Sequence, residues 1–234
     1  MTLRIILVEP REAGNVGAAA RVMKNFGFSS LTIAGEHPDL DPLAGWWASG
    51  ADDVVASATF TPTLHAAMAG AHVTVATTSS RGRVRPADFD PISLARHFET
   101  LGADQTLALV FGREDRGLTG EELAACQYTA VIPTNQAFPT MNLAQSVGIF
   151  CFALSQIRPA EAARDLAQAT LVERLHERAQ ALLVEVGFLH GNNPDRIYDD
   201  LRIIAGRAAL DQREAEILLG MIRQIEWRLR RSAG

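Results

Sequence analysis

The chain has 234 residues, 47% of them hydrophobic, which excludes a disordered chain and supplies one sizeable core plus an extension. A formal net charge of −5 excludes a surface coated in basic charge but leaves room for a local basic patch. The longest apolar stretch, Val147 to Leu154, is far too short to cross a membrane, and the six histidines show no metal-ligand spacing, so neither a membrane nor a metal is expected.

Leu3 to Val8 is a strongly apolar first strand, followed by a turn-rich loop, Glu9-Pro-Arg-Glu-Ala-Gly-Asn15. Val16 to Phe26 reads as a helix, with Asn15 as its N-cap and Gly27 as its stop. Leu31 to Ala34 is a second strand, Gly35 to Pro42 a loop, and Leu43 to Ser49 a short helix carrying Trp46 and Trp47. Asp53-Val-Val-Ala56 reads as a weak strand, Thr63 to Ala69 as a helix, His72 to Ala76 as a strand and Ile92 to Leu101 as a helix. Leu107 to Phe111 is an unbroken apolar run, as in a strand buried on both faces of a parallel sheet. Thr119 and Glu122 have the spacing of a capping box. Tyr128 to Ile132 is the last strand, and Asn142 to Ile157 the helix after it.

This alternation predicts an α/β domain over 1–157, with a mostly parallel sheet and helices on both faces. Residues 158–170, alanine-rich and charged, read as a linker. Three further helices, about 171–186, 195–207 and 211–230, make an all-α extension over 171–234. Cys126 and Cys151 form no Cys-x-x-Cys pair and are expected as buried free thiols in a reducing cytoplasm. The first apolar run is too short for a signal peptide, which fits the same expectation.

Three loops follow strands and carry the polar chemistry. Gly14-Asn15-Val-Gly-Ala-Ala-Ala-Arg21 lacks both the dinucleotide fingerprint and the Gly-Lys-Ser/Thr of a P-loop. Its plain reading is a cap plus a solvated arginine. Gly112-Arg-Glu-Asp-Arg-Gly117 delivers glycine, arginine and carboxylate to the end of a buried strand, where open α/β sheets bind ligands. Ile132 to Ser146 is a long loop with two prolines and exposed amides, and Asn142 with Gln145 can cap the next helix reciprocally. That helix is apolar nearly all round, so it is a core helix or, the preferred reading, a subunit interface.

Asn15-Val-Gly-Ala-Ala-Ala-Arg21, Val110-Phe-Gly-Arg-Glu114 with Gly117-Leu118, and Ile132 through Asn142-Leu-Ala144 resemble the three ordered motifs of SpoU-type ribose 2′-O-methyltransferases, in the SPOUT superfamily. Val186-Gly-Phe188, Asn193-Pro194, Leu201-Arg202 and Leu218 to Arg223 resemble the helical extension of the TrmJ-like tRNA methyltransferases. The resemblance implies a C-terminal trefoil knot in the α/β domain, a homodimer, S-adenosylmethionine as cofactor, and transfer to a ribose 2′-hydroxyl of RNA. For the TrmJ-like relatives that RNA is tRNA, at anticodon-loop nucleotide 32. By position, Thr77, Thr78, Ser79, Gly112, Ile132, Pro139, Thr140 and Met141 are implied to line the cofactor pocket. Arg21, Asn15, Glu114 and Asn142 match the polar catalytic positions. Thr140 stands where the family usually has serine, which keeps the hydroxyl and adds a methyl group.

A ribose hydroxyl is a poor nucleophile and a sulfonium methyl an activated electrophile, so alignment and handling of one proton are the chemical problem. Arg21 is expected to contact the hydroxyl and its neighbouring phosphate. Being permanently protonated, it acts through its charge. Glu114 is expected to orient Arg21 or the motif loops. Arg81, Arg83 and Arg85 are candidate RNA contacts, and Arg223, Arg228, Arg230 and Arg231 form a second basic cluster. The competing readings are a ribosomal RNA methyltransferase, a non-catalytic RNA-binding module with a degenerate pocket, and a nicotinamide-dependent oxidoreductase.

Overall fold

The structure is a computed structural model that describes residues 1–79, 87–99, 101–102, 104–156, 166–190, 194–206 and 208–232. It divides into two compact units, Met1–Ala163 and Arg164–Gly234. In the first unit the elements run β1 (Thr2–Val8), α1 (Ala13–Asn25), β2 (Ser30–Ala34), α2 (Leu43–Ala48), α3 (Asp52–Ala56), β3 (Thr59–Thr61), α4 (Leu64–Met68), β4 (Val73–Thr78), α5 (Pro91–His97), β5 (Thr106–Phe111), α6 (Gly120–Ala124), β6 (Tyr128–Val131) and α7 (Leu143–Ser155). The strands form one sheet in the order β3-β2-β1-β5-β4-β6, and every neighbouring pair is parallel.

The two central strands are the two apolar runs. Ile5, Ile6, Leu7, Leu107, Leu109 and Val110 are all inaccessible, as a sheet covered on both faces requires. Ile6, Val8, Ala76, Ala108 and Val110 pack with Ala67, Met68 and Cys126 in one such layer. Both cysteines are buried thiols outside any disulfide, and burial pushes the Cys151 thiol up to about 12. Successive strands run outward from β1 to β3, while β4 and β6 lie beyond β5, so the order reverses between β1 and β5.

Two expectations are corrected. Asp53 to Ala56 is not a strand but part of α3, where Asp52 and Asp53 occupy the first turn and favour its positive end. The third strand is instead the short edge strand β3, paired with β2 through Thr32–Thr59 and Ala34–Thr61. Asn15 does not cap α1: the helix starts three residues earlier than expected, its N-cap is Glu12, and no local side chain caps it. A carboxylate distant in sequence takes that role, as described below.

The expected linker, 158–170, lies outside the described residues as far as 165. The second unit holds α8 (Ala169–Glu185), α9 (Pro194–Gly206) and α10 (Gln212–Ser232). Leu175, Leu182, Leu219 and Ile222 form its core between α8 and α10. Asp211 and Glu214 cap α10 reciprocally, each side chain accepting from the other's backbone N–H at 2.7 and 2.9 Å. His176 is buried beside Tyr198. The Tyr198 hydroxyl donates to the His176 carbonyl, which leaves its oxygen as an acceptor for Nδ1 at 3.3 Å. Burial, with help from the Arg202 charge, holds the His176 imidazole down at about 4.

The pH consequence has a definite sign. An unfolded histidine takes up its proton near 6.5, while the folded one resists until about 4. The His176 contribution to folding stability is therefore full above about 6.5, is lost as the pH drops toward 4, and changes no further below. The gap between 6.5 and about 4 corresponds to roughly 3 kcal/mol. Urea unfolding of the chain at a series of pH values should show that slope, and His176→Phe should flatten it.

Candidate active site

The carboxyl ends of β4 and β5, the segment after β6 and the first two turns of α7 enclose a cavity of about 340 Å³. Its floor is apolar, with Phe111, Leu118, Ile132, Met141, Leu143 and Phe150. Hydroxyls ring it: Thr77, Thr78, Ser79, Thr134, Thr140 and Ser146. Several of these spend their protons on protein carbonyls, Thr77 on Val110 at 2.9 Å, Thr134 on Pro139 at 3.1 Å and Ser146 on Asn142 at 3.0 Å. Their lone pairs remain as acceptors. Glu114 and Asp115 add carboxylates. The wall from Gly112 to Leu118 is folded tightly on itself: a Cβ on Gly112 would lie 2.2 Å from the Gly117 carbonyl carbon and 2.3 Å from the Leu118 nitrogen.

Beside this cavity a chain of hydrogen bonds joins the three motif loops. Glu114, just past β5, accepts from the backbone N–H groups of Arg11 at 2.8 Å and Glu12 at 3.3 Å. Its carboxylate thus serves the amino end of α1 in place of a local cap. The Asn15 amide nitrogen donates to the same carboxylate at 2.9 Å. Since a carboxylate only accepts, that bond fixes the orientation of the Asn15 amide and turns Oδ1 outward. Oδ1 accepts from the Asn142 amide nitrogen at 2.9 Å. The Asn142 Oδ1 in turn caps α7, accepting from the Gln145 N–H at 3.2 Å. The cap expected to be reciprocal is one-sided: Asn142 accepts from the Gln145 N–H, and the Gln145 side chain makes no return bond to the Asn142 backbone N–H.

A second network holds the same two loops from beneath. Arg113 is buried, yet fully paired. Nε donates to Glu9 at 2.7 Å, and its two terminal nitrogens fork onto Glu122 at 2.9 and 3.0 Å. The Glu9 hydrogen bond, then that of Glu122, raises the Arg113 pKa further, while Arg113 holds the Glu9 carboxyl below its usual range. Burial pushes Glu122 up, but the Arg113 and Thr119 hydrogen bonds outweigh it and leave it low. Glu9 directly follows β1 with φ 43°, a left-handed conformation rare for a side-chain-bearing residue. Arg113 and Glu114 are adjacent, so one strand end grips the β1–α1 loop with both a cation and an anion.

All eight positions expected around a cofactor, Thr77, Thr78, Ser79, Gly112, Ile132, Pro139, Thr140 and Met141, line this cavity. Of the four expected catalytic residues, Asn15, Glu114 and Asn142 form the bonded chain. Arg21 stands apart: it is exposed on α1, outside the cavity lining, and has no hydrogen-bond or ion-pair partner among the described residues. Glu114 therefore orients the loops and not Arg21. Arg81, Arg83 and Arg85 lie outside the described residues. In the C-terminal cluster, Arg231 stacks over Trp227 at 4.8 Å, and Arg223 donates to the Leu219 carbonyl. Sequence reading missed Arg113. Its only signal was an arginine following a buried strand, with its partners nine and 104 residues away.

Comparison with known proteins fits this geometry. Residues 2–152 match the model of the SpoU rRNA Methylase family, and residues 170–234 match the C-terminal domain of the tRNA methyltransferase TrmJ. The chain is 33% identical to the tRNA (cytidine/uridine-2′-O-)-methyltransferase TrmJ of Klebsiella pneumoniae, with 96% of each chain covered. It is 34% identical to the uncharacterized tRNA/rRNA methyltransferase LasT of Escherichia coli, over 97% of this chain and 98% of that one. Its fold superposes on the crystal structure of TrmJ from Z. mobilis ZM4 with a TM-score of 0.83 at 27% identity, covering 97% of this chain and all of the other. With the motifs joined by hydrogen bonds and the matches spanning both units, the chain belongs to the SpoU methylase family.

Proposed function

We propose that the chain methylates a ribose 2′-hydroxyl of tRNA, at anticodon-loop nucleotide 32, using S-adenosylmethionine, and works as a cytoplasmic homodimer. The observation that carries this is the Glu114–Asn15–Asn142 chain, which ties three separate motif loops to the rim of one cavity. The relatives named tRNA (cytidine/uridine-2′-O-)-methyltransferases support the substrate class.

The cavity's donor set fits the cofactor. Apolar side chains suit an adenine face, hydroxyls turned lone-pair outward suit ribose and amine donors, and the Glu114 and Asp115 carboxylates suit a cation. Its volume of about 340 Å³ is that of a nucleoside-sized ligand site. Thr77, Thr78, Ser79, Gly112, Ile132, Pro139, Thr140 and Met141 would hold it, and the added methyl of Thr140 narrows the wall. When bound, the sulfonium supplies an activated methyl group. The protein's residues do the rest. Asn15 and Asn142 fix loops and substrate, and Glu114 keeps both amides in one orientation. Arg21, free on its helix face, holds the phosphate next to the target ribose and stabilises negative charge as it develops on the 2′-oxygen. The two motif loops on one cavity also support the family's trefoil knot in this portion of the chain.

An apolar groove of about 640 Å³ between α5 and α7, with Ile92 and Phe152 on its rim exposed, supports α7 as a subunit interface. Incubation with methyl-labelled S-adenosylmethionine and either total tRNA or ribosomal RNA tests the reading. Label should enter tRNA. Label confined to ribosomal RNA would overturn the substrate, and bound cofactor without transfer to any RNA would favour a binding module.

A further inference from the structure

α2 holds two adjacent tryptophans, and water reaches both: Trp46 is 72% and Trp47 60% exposed. An indole can bury 150–250 Å² when packed, so two left open on a six-residue helix call for a cause. The helix itself is firmly seated. Ala44 and Ala48 are inaccessible, and a Cβ on Gly17 of α1 would lie 2.0 Å from the Ala44 carbonyl oxygen. The tryptophans are thus presented by a rigid support.

Their place is specific. A Cβ on Gly14 would lie 3.0 Å from Cδ1 and 3.1 Å from Nε1 of Trp47. The indole edge therefore rests on the residue just before Asn15. Gly14, Ala18 and Arg21 follow i, i+4, i+7 spacing and share one face of α1, about 10 Å from end to end. None of the three is buried. An accessible strip runs from Trp47 past Asn15 to Arg21, and neither indole N–H has a hydrogen-bond partner among the described residues.

We propose that Trp47, flanked by Trp46, is a stacking platform for an unpaired nucleobase of the RNA, adjacent to the nucleotide being methylated. The inference rests on the RNA methyltransferase reading. Along the strip Arg21 handles phosphate and Asn15, next to Gly14 under Trp47, handles ribose, and the remaining part of a nucleotide is a flat base. Bases of single-stranded loops are splayed out and recognised on aromatic faces. The strip is continuous with the site, which favours RNA over a second copy of the chain as occupant.

Steady-state methyl transfer to tRNA tests the platform. Trp47→Ala should raise the KM for tRNA about 5- to 100-fold. The KM for S-adenosylmethionine and the melting temperature should stay put, and Trp47→Phe should recover most of the loss. An unchanged KM for tRNA in the Trp46→Ala/Trp47→Ala protein overturns the platform alone. So does a change in sedimentation of that protein to a smaller species, which would assign the face to a subunit contact. In Trp227→Phe protein only Trp46 and Trp47 remain to fluoresce, and added tRNA should quench them; no quenching overturns the platform. If the wild-type protein transfers no methyl group, the enzyme reading fails and this titration still decides the platform.

Discussion

Gly112→Ala is expected to cost binding of S-adenosylmethionine by about 10- to 100-fold, the equivalent of the 1–3 kcal/mol that overpacking typically costs. The new methyl would lie 2.2 and 2.3 Å from backbone atoms of Gly117 and Leu118, so the loop and not a side chain must yield. The loop cannot yield cheaply. The Gly117 N–H closes it onto the Arg113 carbonyl at 2.8 Å, and Arg113 is pinned between Glu9 and Glu122. The displaced segment is the cavity wall, so the cost should appear in affinity as well as in melting temperature. Gly120→Ala, with nothing within 4 Å of its added carbon and a place at the start of α6, is the control and should bind normally. Calorimetric titration of both variants reads the difference, and unchanged affinity in Gly112→Ala would remove the loop from the cofactor site.

Arg21→Ala should lower methyl transfer about 10²- to 10³-fold, the usual effect of removing one preorganised stabiliser of developing negative charge. Cofactor affinity and stability should not move, because Arg21 is exposed, unpaired among the described residues and absent from the cavity lining. Arg21→Lys should recover part of the rate, since it keeps the charge and loses the fork. Single-turnover rates at saturating tRNA separate this from weakened RNA binding. Near-normal turnover in Arg21→Ala would sink the assignment.

The fold was readable where one physical signal dominated. The apolar runs at Leu3–Val8 and Leu107–Phe111 could only be sheet interior, and they are its two central strands. The Thr119/Glu122 box is local, and it forms as spaced. Reading failed where a distant partner decided. Val54 and Val55 suggested a strand, but Asp52 and Asp53 start a helix and the edge of β2 is taken by Thr59–Thr61. Asn15 looked like a cap because nothing in the sequence says that Glu114, 99 residues on, already serves that helix end. Arg113 was hidden for the same reason. The cavity residues were legible through family resemblance rather than through composition, and Trp47 was legible only as a helix residue until its contact with Gly14 fixed where it points.

The most direct measurement takes tRNA labelled by the wild-type protein and digests it with alkali. A 2′-O-methyl group blocks cleavage at its own phosphodiester, so ribose methylation leaves the label in an alkali-resistant dinucleotide. The account predicts one such dinucleotide, from the anticodon loop, and its loss in Arg21→Ala. Label recovered only in mononucleotides would mean that a base is methylated, and would contradict the account.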